Sequence, residues 1–255
     1  MQLVDHTTGL SVPVPQKCPA CESVRLHCVG AGTQKLEAIL KQRFPEARLL
    51  RADSDVLHHP EQMRLLLKNM REGKADILLG TQSVVKGLDL PNVTLAAVVL
   101  ADIGLSLPHF RAGERIFQLL SQLTGRSGRA KAGEVIIQTY RPQAQEVCAA
   151  SQHNAEQFME DELSLRIHGQ YPPATKMVRL LFRGNNAKQS ANDHSVRLKQ
   201  VAEKLNLSLF ITASATLFGG GKVWHVLIRG ANPIELLKQV DLEGVIVDID
   251  PIECV

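Results

Sequence analysis

The stretch that decides the fold is DILLGTQSVVKGLDLPNVTLAAVVLAD, residues 76–102. Two continuous apolar runs, DILLG at 76–80 and VTLAAVVLAD at 93–102, lie on either side of a polar loop that contains glycine. Runs of this kind are typical of parallel strands that helices cover on both faces. Ligands bind in the loops at the carboxyl ends of such strands, so the loop GTQSVVKGLD at 80–89 is a candidate site.

The sequence on both sides of this stretch alternates between strand and helix patterns. Strands are predicted at 24–29, 48–53 and 134–140, and helices at 34–44, 61–73, 110–123 and roughly 142–168. This βαβ alternation predicts an α/β fold with a parallel sheet. The first helix is expected to place Leu36, Ile39, Leu40 and Phe44 on one inward stripe.

The pattern changes after Pro172 and Pro173, because paired prolines break a helix. The elements that follow are a strand at 175–184, a helix at 187–206, strands at 207–214 and 222–230, a helix at 233–240 and a strand at 244–250. This βαββαβ order predicts a small α+β domain of the ferredoxin-like kind. The expected domains are therefore 1–23, 24–169 with its linker helix, and 170–255.

Composition excludes several classes of protein. With 44% hydrophobic and 22% charged residues in 255, the chain is an ordinary globular one, long enough for two domains. The five cysteines are too sparse for a disulfide framework. No apolar run approaches the roughly 20 residues of a membrane span, and the N-terminus lacks a signal-peptide pattern. A cytoplasmic location without membrane association is expected, and the net charge of +3 permits a nucleic-acid partner.

A second candidate loop is QLTGRSGRA at 122–130, where Arg126 and Arg129 each stand beside a glycine. Guanidinium groups bind phosphate through two parallel hydrogen bonds, and glycine lets backbone approach closely. The alternative is a solvated basic turn at a helix C-terminus, where cations interact favourably with the helix dipole.

TQSVVKGLD at 81–89 and QLTGRSGR at 122–129 resemble motifs V and VI of the second RecA-like lobe of superfamily 2 helicases. Further segments resemble, in order, the C-terminal half of the PriA family of replication-restart helicases: CPAC at 18–21, GAGTQKLEAILKQRFPEARLLRAD at 30–53, GEVIIQTYRP at 133–142, YPP at 171–173 and VDIDP at 247–251. The resemblance covers nearly the whole chain. It implies a RecA-like helicase lobe followed by a ferredoxin-like domain.

The resemblance also implies roles for individual residues. Arg126 and Arg129 would be arginine fingers for the transferred γ-phosphoryl group of ATP, and Gln122 would link the nucleotide state to closure of the lobes. The implied nucleotide-binding residues are Gly87, Asp89, Gly125 and Gly128, and the implied single-strand DNA contacts are Thr33, Thr81, Gln82 and Lys86. For Thr33 and Thr81, the residues themselves leave helix capping as an alternative.

Two motifs that an ATP-driven motor needs are missing from the sequence. The nearest approach to a P-loop, TLFGGGKV at 216–223, is interpreted as a hairpin loop, and the acids of MEDEL at 159–163 are predicted on a helix. The chain is therefore expected to supply one lobe of a two-lobe motor. ATP with magnesium would bind only with a complementary first lobe, and the chain alone should not hydrolyse ATP at a useful rate.

The resemblance further implies zinc, which the family binds through four CxxC pairs. Here Cys18 and Cys21 form one pair, while Asp5 and Thr8 stand where the family carries cysteines. Structural zinc needs four ligands, so loss of the site is expected. The alternative is a site made by Cys18, Cys21, His6 and one more residue.

Two functions follow from the resemblance. The first is part of a 3′-to-5′ DNA helicase for primosome assembly, completed by a first lobe in cis or in trans. The second is a non-catalytic module that binds forked or single-stranded DNA, single-strand-binding protein or primosome proteins. A third class, an unrelated nucleotide-binding α/β protein, is disfavoured by the paired motifs.

Overall fold

A computed structural model of the chain describes residues 2–4, 11–24, 32–52, 60–85, 90, 92–125, 133–216 and 222–252. The strands are β1 (Gln2–Val4), β2 (Ser11–Pro13), β3 (Leu49–Ala52), β4 (Ile77–Gly80), β5 (Leu95–Val98), β6 (Glu134–Ile137), β7 (Lys176–Arg183), β8 (Leu209–Ala215), β9 (Val223–Gly230) and β10 (Ile246–Ile249). The helices are α1 (Thr33–Arg43), α2 (Pro60–Arg71), α3 (Gln82–Val85), α4 (Asp102–Leu105), α5 (Ala112–Thr124), α6 (Gln145–Ser151), α7 (Ala155–His168), α8 (Ala187–Lys204) and α9 (Pro233–Leu237). The mixed α/β class predicted from the sequence is confirmed. The predicted strand at 24–29 lies almost entirely outside the described residues.

The chain forms two compact units. Unit 1 comprises Met1–His27, Leu107–Ala112 and Met159–Val255, and unit 2 comprises Cys28–Ser106 and Gly113–Phe158. These units group the residues differently from the sequence-based domains, since Met1–His27, Leu107–Ala112 and residues 159–169 fall in the same unit as the C-terminal elements.

Unit 2 contains two parallel strand pairs, as the buried apolar runs predict. β3 pairs with β4 in the register Leu49↔Ile77, and β5 pairs with β6 in the register Leu95↔Glu134. Two apolar clusters cover these pairs. One cluster is Ala52, Leu66 and Val84, and the other is Ile116, Leu120, Val147 and Ala150.

Helix α1 differs from its predicted packing. No residue of α1 is buried, and Ile39 and Phe44 are 45% and 54% exposed, so the inward stripe of four residues is wrong for these two. Periodicity indicates which residues share a face of the helix and not how much of that face is covered. Glu37 of this helix pairs with Arg51 of β3 at 2.7 Å, so part of the contact between α1 and β3 is polar.

The predicted long helix at 142–168 is two helices, α6 and α7. His153 adopts a left-handed conformation (φ 55°), which ends the first helix. The Asn154 side-chain oxygen then accepts the Gln157 N–H at 3.1 Å and caps the start of α7. The acids of MEDEL lie on α7, as predicted.

Unit 1 is built on a four-stranded antiparallel sheet in the order β10-β7-β9-β8. The central strands β7 and β9 pair along their full length, from Lys176↔Gly230 to Arg183↔Val223. Helix α8 covers one face because its small and apolar residues recur every three or four positions. These residues are Ala187, Ala191, Ser195, Leu198 and Ala202, all buried. Beyond β8, the Thr216 N–H donates to the Val223 carbonyl at 3.0 Å, so the chain flanking 217–221 pairs as a hairpin does.

Candidate nucleotide and DNA site

The structure describes some of the predicted site residues and not others. Thr33, Thr81, Gln82, Gln122 and Gly125 are described, as are Cys18 and Cys21. Lys86, Gly87, Asp89, Arg126, Gly128 and Arg129 lie outside the described residues, as does His6. The described part of the candidate site is therefore the start of each motif and the element that precedes it.

Thr81 and Gln82 follow directly after β4, at the carboxyl end of the β3–β4 pair. Both are exposed, and the Thr81 carbonyl accepts the Val84 N–H at 3.0 Å. A Cβ at Gly80 would lie 2.9 Å from the Ala52 carbonyl oxygen and would collide with the Val84 side chain. Close packing of Gly80 thus fixes the backbone from which both candidate side chains extend. Because Thr81 immediately precedes α3, its capping interpretation also stands.

Gln122 and Gly125 lie at the C-terminal end of α5. Ile116 and Leu120 of this helix are 2% and 0% exposed, whereas Gln122 is exposed. The helix end is well satisfied: the Gly125 N–H donates to the Ser121 carbonyl at 3.0 Å, and Thr124 Oγ1 donates to the Leu120 carbonyl at 3.1 Å. Buried packing at one side of α5 and these terminal hydrogen bonds position the start of the loop QLTGRSGRA at 122–130, which we call the arginine motif.

Thr33 is the first residue of α1 rather than the residue that caps it. Gly32 occupies the N-cap position with extended backbone (φ −63°, ψ 138°), and its carbonyl accepts the Leu36 N–H at 3.1 Å. This position does not support the capping interpretation for Thr33. The Thr33 side chain is half-buried in the first turn of α1. The first turn of a helix favours anions.

An ion pair joins the amino ends of β3 and β4, at the opposite edge from Thr81. Arg48 Nη2 and Nε donate to the two carboxylate oxygens of Asp76 at 2.7 and 2.9 Å, and the Arg48 backbone N–H adds a third bond at 2.8 Å. These hydrogen bonds hold the pKa of the Asp76 carboxyl well below its ordinary range. The pair joins the starts of the two strands and is separate from the candidate site.

Cys18 and Cys21 lie in a tight turn. The Glu22 N–H donates to the Cys18 carbonyl at 2.8 Å, and the Cys18 N–H donates to the Ser23 carbonyl at 2.9 Å. Hydrogen bonds from the backbone N–H groups of Ala20 and Cys21, and then from the Cys21 thiol, lower the pKa of the Cys18 thiol. A thiolate is the metal-binding form, but within the described ranges no group of three or more potential ligands comes together. The described residues thus provide two of the four ligands of a structural zinc site and do not complete one.

Gly104 of α4 is a packing residue that sequence reasoning missed. It is buried, and a Cβ there would collide with Ile116 and would lie 3.1 Å from the side-chain nitrogen of Gln82. Gly104 therefore adjoins both Gln82, the second residue after β4, and α5, the helix that leads to Arg126 and Arg129. No periodicity or motif marks this glycine, so a single sequence gives no signal for it.

The protein is thus of the mixed α/β class. It has a parallel unit, with candidate residues after β4 and at the end of α5, and an antiparallel unit. Comparison with known proteins identifies its family. No protein-family model matches the chain. Replication restart protein PriA of Chlamydia muridarum is 37% identical over 96% of this chain. The PriA proteins of Bacillus subtilis and Synechocystis sp. are 46% and 36% identical over 66% and 92% of it.

The chain belongs to the PriA family and matches a C-terminal portion of its members. It spans 34%, 21% and 30% of the length of these three relatives. Among the residues that the structure describes, no helix combines the length and apolar character needed to cross a bilayer.

Proposed function

We propose that the chain is the C-terminal part of a PriA-type ATP-dependent DNA helicase that acts in primosome assembly and replication restart. The observation that carries this proposal is the family membership, together with the order of the two motifs on a parallel α/β unit. We assign unit 2 to the second RecA-like lobe, which its parallel strand pairs support. We assign the C-terminal elements to a ferredoxin-like domain, which the βαββαβ order and the strand order β10-β7-β9-β8 support.

In this proposal the arginine motif acts on ATP that is held mainly by the first lobe. Bound ATP with magnesium supplies the transferable phosphoryl group and part of the charge neutralisation. Arg126 and Arg129 stabilise charge on that group, and Gln122 reports its presence to the lobe. Gly87, Asp89, Gly125 and Gly128 line the nucleotide. The hydrogen bonds at the C-terminal end of α5 support this assignment, because a catalytic side chain acts best from a backbone that is held in place.

The DNA contacts in this proposal are to phosphates. Thr33, Thr81 and Gln82 offer neutral hydrogen-bond donors, and Lys86 offers a charge, so the contacts position a single strand without reading its sequence. The exposure of Thr81 and Gln82 on a firmly packed backbone supports this role. Forked DNA, single-strand-binding protein and primosome proteins are the partners that the family implies.

The test is ATP hydrolysis by the purified chain, alone and mixed with a separately produced P-loop lobe from the Bacillus subtilis relative, with forked DNA present. We expect no turnover by the chain alone and DNA-dependent turnover by the mixture. Arg126→Ala and Arg129→Ala should each lower that turnover about 10³-fold or more, the effect of losing a finger in related enzymes. Arg197→Ala, at an exposed position on α8, is the matched control.

Turnover by the chain alone that depends on the two arginines would overturn the division into lobes. DNA binding by a mixture that never hydrolyses ATP, with a P-loop lobe shown to be folded and bound to the chain, would instead establish a binding module.

We further propose that the Cys18–Cys21 turn has lost zinc, because two thiols supply half of the ligands that a structural site needs. Metal analysis of the purified chain should give well under one zinc per molecule. One tightly held zinc per chain, lost in Cys18→Ser, would overturn this proposal, and its loss in His6→Ala as well would support a site completed by His6.

A further inference from the structure

Strand β10 forms one edge of the four-stranded sheet of unit 1. The strand order is β10-β7-β9-β8, so among the described residues no strand pairs with the outer side of β10. Its inner side pairs antiparallel with β7, in a register that runs from Ile246↔Leu181 to Ile249↔Val178. The strand therefore presents a row of backbone N–H and carbonyl groups on its outer side.

The backbone groups on the outer side belong to particular residues. In an antiparallel pair, alternate residues exchange hydrogen bonds with the neighbouring strand, and the residues between them point the other way. The Asp250 N–H donates to the Met177 carbonyl at 2.9 Å, which fixes this alternation. Asp248, two residues earlier, bonds to β7 in the same way. The backbone groups of Val247 and Ile249 therefore point outward.

The side chains along this edge are apolar and exposed. Ile246, Val247 and Ile249 are 49%, 39% and 52% exposed. Val247 lies opposite Leu180 of β7, and Ile249 lies opposite Val178. Both of these partners are 0% exposed and belong to the main apolar cluster of the unit. An incoming strand with apolar residues on this face would thus extend a core that already exists.

The composition of β10 gives the edge little protection. Natural sheets commonly protect an edge strand with Lys, Pro or a strand-twisting bulge. The four residues of β10, IVDI, include neither Lys nor Pro, and they pair with β7 in an unbroken register. The edge is therefore open to a further strand.

Charge at this edge indicates the kind of partner. Residues 241–253 contain no Lys or Arg and five acids, which are Asp241, Glu243, Asp248, Asp250 and Glu253. Asp250 is exposed, and the Asp248 side chain keeps 37% of its surface exposed while it pairs with Arg179 at 2.7 Å. An acidic edge repels the phosphates of a nucleic acid and the same edge of a second copy. It attracts a basic polypeptide.

We propose that the outer edge of β10 binds an extended polypeptide in which apolar and basic residues alternate. The added strand pairs with the backbone groups of Val247 and Ile249, as peptides do in β-augmentation. Its apolar side chains cover Val247 and Ile249, and its basic side chains lie on the opposite face, which Asp248 shares. The alternation follows from the two-residue period of a strand. This site lies on unit 1 and does not depend on the proposed function.

The test is binding of a synthetic peptide of about seven residues, alternating valine and lysine, to the full chain. Amide hydrogen exchange is then measured residue by residue, without ATP or DNA. We expect the amides of Val247 and Ile249 to exchange about tenfold more slowly or more with bound peptide, because each then donates a hydrogen bond. The Asp250 amide already donates to Met177 and should keep its rate. Protection at alternate residues distinguishes an added strand from binding through side chains alone.

Proline at Val247 tests the backbone contribution. Val247→Pro removes an outward N–H and no hydrogen bond to β7, and an edge strand tolerates proline where its N–H faces solvent. We expect about tenfold weaker peptide binding with an unchanged urea midpoint, since an acceptor on the peptide loses its donor. Val247→Thr keeps the N–H and a branched side chain, so it is the matched control and should bind almost as well as the unaltered chain.

Replacing Asp250 tests the contribution of charge. Asp250→Asn should weaken peptide binding about threefold at low salt and by less at high salt, because an exposed ion pair is weak and screened. A peptide of alternating valine and glutamate is the matched probe, and we expect it not to bind. Equal binding of the two peptides would overturn the proposal, since charge would then not select the partner.

Other outcomes would overturn the proposal as well. One is unchanged exchange of Val247 and Ile249 at a large excess of the lysine peptide. Another is slow exchange of these amides in the free chain that depends on protein concentration, which would identify a second copy as the occupant. Protection of the same amides by a single-stranded oligonucleotide would identify nucleic acid instead. Should Val247→Pro fail to fold, the exchange pattern of the unaltered chain decides the question alone.

Discussion

At the scale of single residues, Gly80 shows how packing sets the position of a loop. The space that a Cβ would need there is already filled by the Val84 side chain and, at 2.9 Å, by the Ala52 carbonyl oxygen. The carbonyl belongs to the backbone of β3 and cannot rotate away. Thr81 and Gln82 therefore follow a residue with little room to move.

We predict that Gly80→Ala lowers the free energy of unfolding by about 1–3 kcal/mol, the usual cost of overpacking. Urea denaturation of the purified chain measures this difference. The comparison is Gly32→Ala, where nothing lies within 4 Å of a Cβ and φ is −63°, so that any loss there reflects the N-cap preference for glycine over alanine and not a clash. An equal loss in both variants would show that the effect comes from replacing glycine and not from the contact with Ala52.

The Arg48–Asp76 pair predicts a dependence of stability on pH. The pKa of Asp76 in the folded chain is lowered, chiefly by its hydrogen bonds from Arg48, relative to an unfolded value of about 3.9. The pair thus contributes its full stability above that unfolded value, and the contribution is lost as pH falls through the lowered folded pKa. Because both side chains are about half exposed, at 56% and 44%, solvent screening keeps the effect small.

The measurement is the urea midpoint of Asp76→Asn against that of the unaltered chain from pH 7 to pH 2. We expect the gap to be constant down to about pH 5 and to narrow below it. Asp193→Asn, at an exposed position on α8, is the comparison that should show no such gap. A difference in urea midpoint that stays constant down to pH 2 would contradict the view that the ionised Asp76 carboxylate provides this stability.

At the scale of elements, the break between α6 and α7 depends on a cap. Asn154 supplies the oxygen that accepts the Gln157 N–H at 3.1 Å. We predict that Asn154→Ala lowers the free energy of unfolding by about 1 kcal/mol, a typical loss when an N-cap is removed. Thermal unfolding measures the change, and Asn154→Ser, which keeps an oxygen acceptor, should recover most of it. Equal losses in the two variants would rule out capping as the reason.

The sequence predicts elements well where one local signal dominates. Strand β7 and helix α8 carry clear alternation and clear three-to-four spacing, and both form close to their predicted bounds. The prediction is wrong for the helix at 142–168, because the apolar pattern of two helices runs on across Asn154. It is also wrong for Ile39 and Phe44, because periodicity shows which residues share a face and not how much of that face is covered.

The candidate site was predicted from motifs, and the limits of that prediction are physical. The order of the two loops follows from sequence motifs, and Thr81 and Gln82 are exposed. The contacts of Gly104 with Ile116 and Gln82 join residues that are distant in sequence, and nothing local encodes them. The same holds for the stacking of Phe110 on Tyr171, which depends on where 107–112 packs.

At the scale of the whole molecule, charge is nearly balanced. The chain carries 29 Lys and Arg residues against 26 Asp and Glu, so long-range attraction to DNA is weak and local cations decide the salt dependence. We predict that Lys86→Ala reduces the slope of log affinity against log salt by about 1 in single-stranded DNA binding. Thr81→Val should lower affinity at every salt concentration without changing the slope, because its contact is uncharged. Identical slopes for Lys86→Ala and the unaltered chain would remove Lys86 from the proposed DNA surface.

The strand order of unit 1 determines when β7 can pair during synthesis of the chain. β7 pairs with β9 and β10 but not with β8, the next strand to be made. The ribosome must therefore proceed from Arg183 to Gly230 before β7 meets its first complete neighbour, which takes roughly 2–10 s at ordinary elongation rates. During that interval Val178, Leu180 and Phe182 lack Val226 and Ile228 of β9, which complete their apolar cluster, so a chaperone that binds short apolar segments has a defined target and a defined moment.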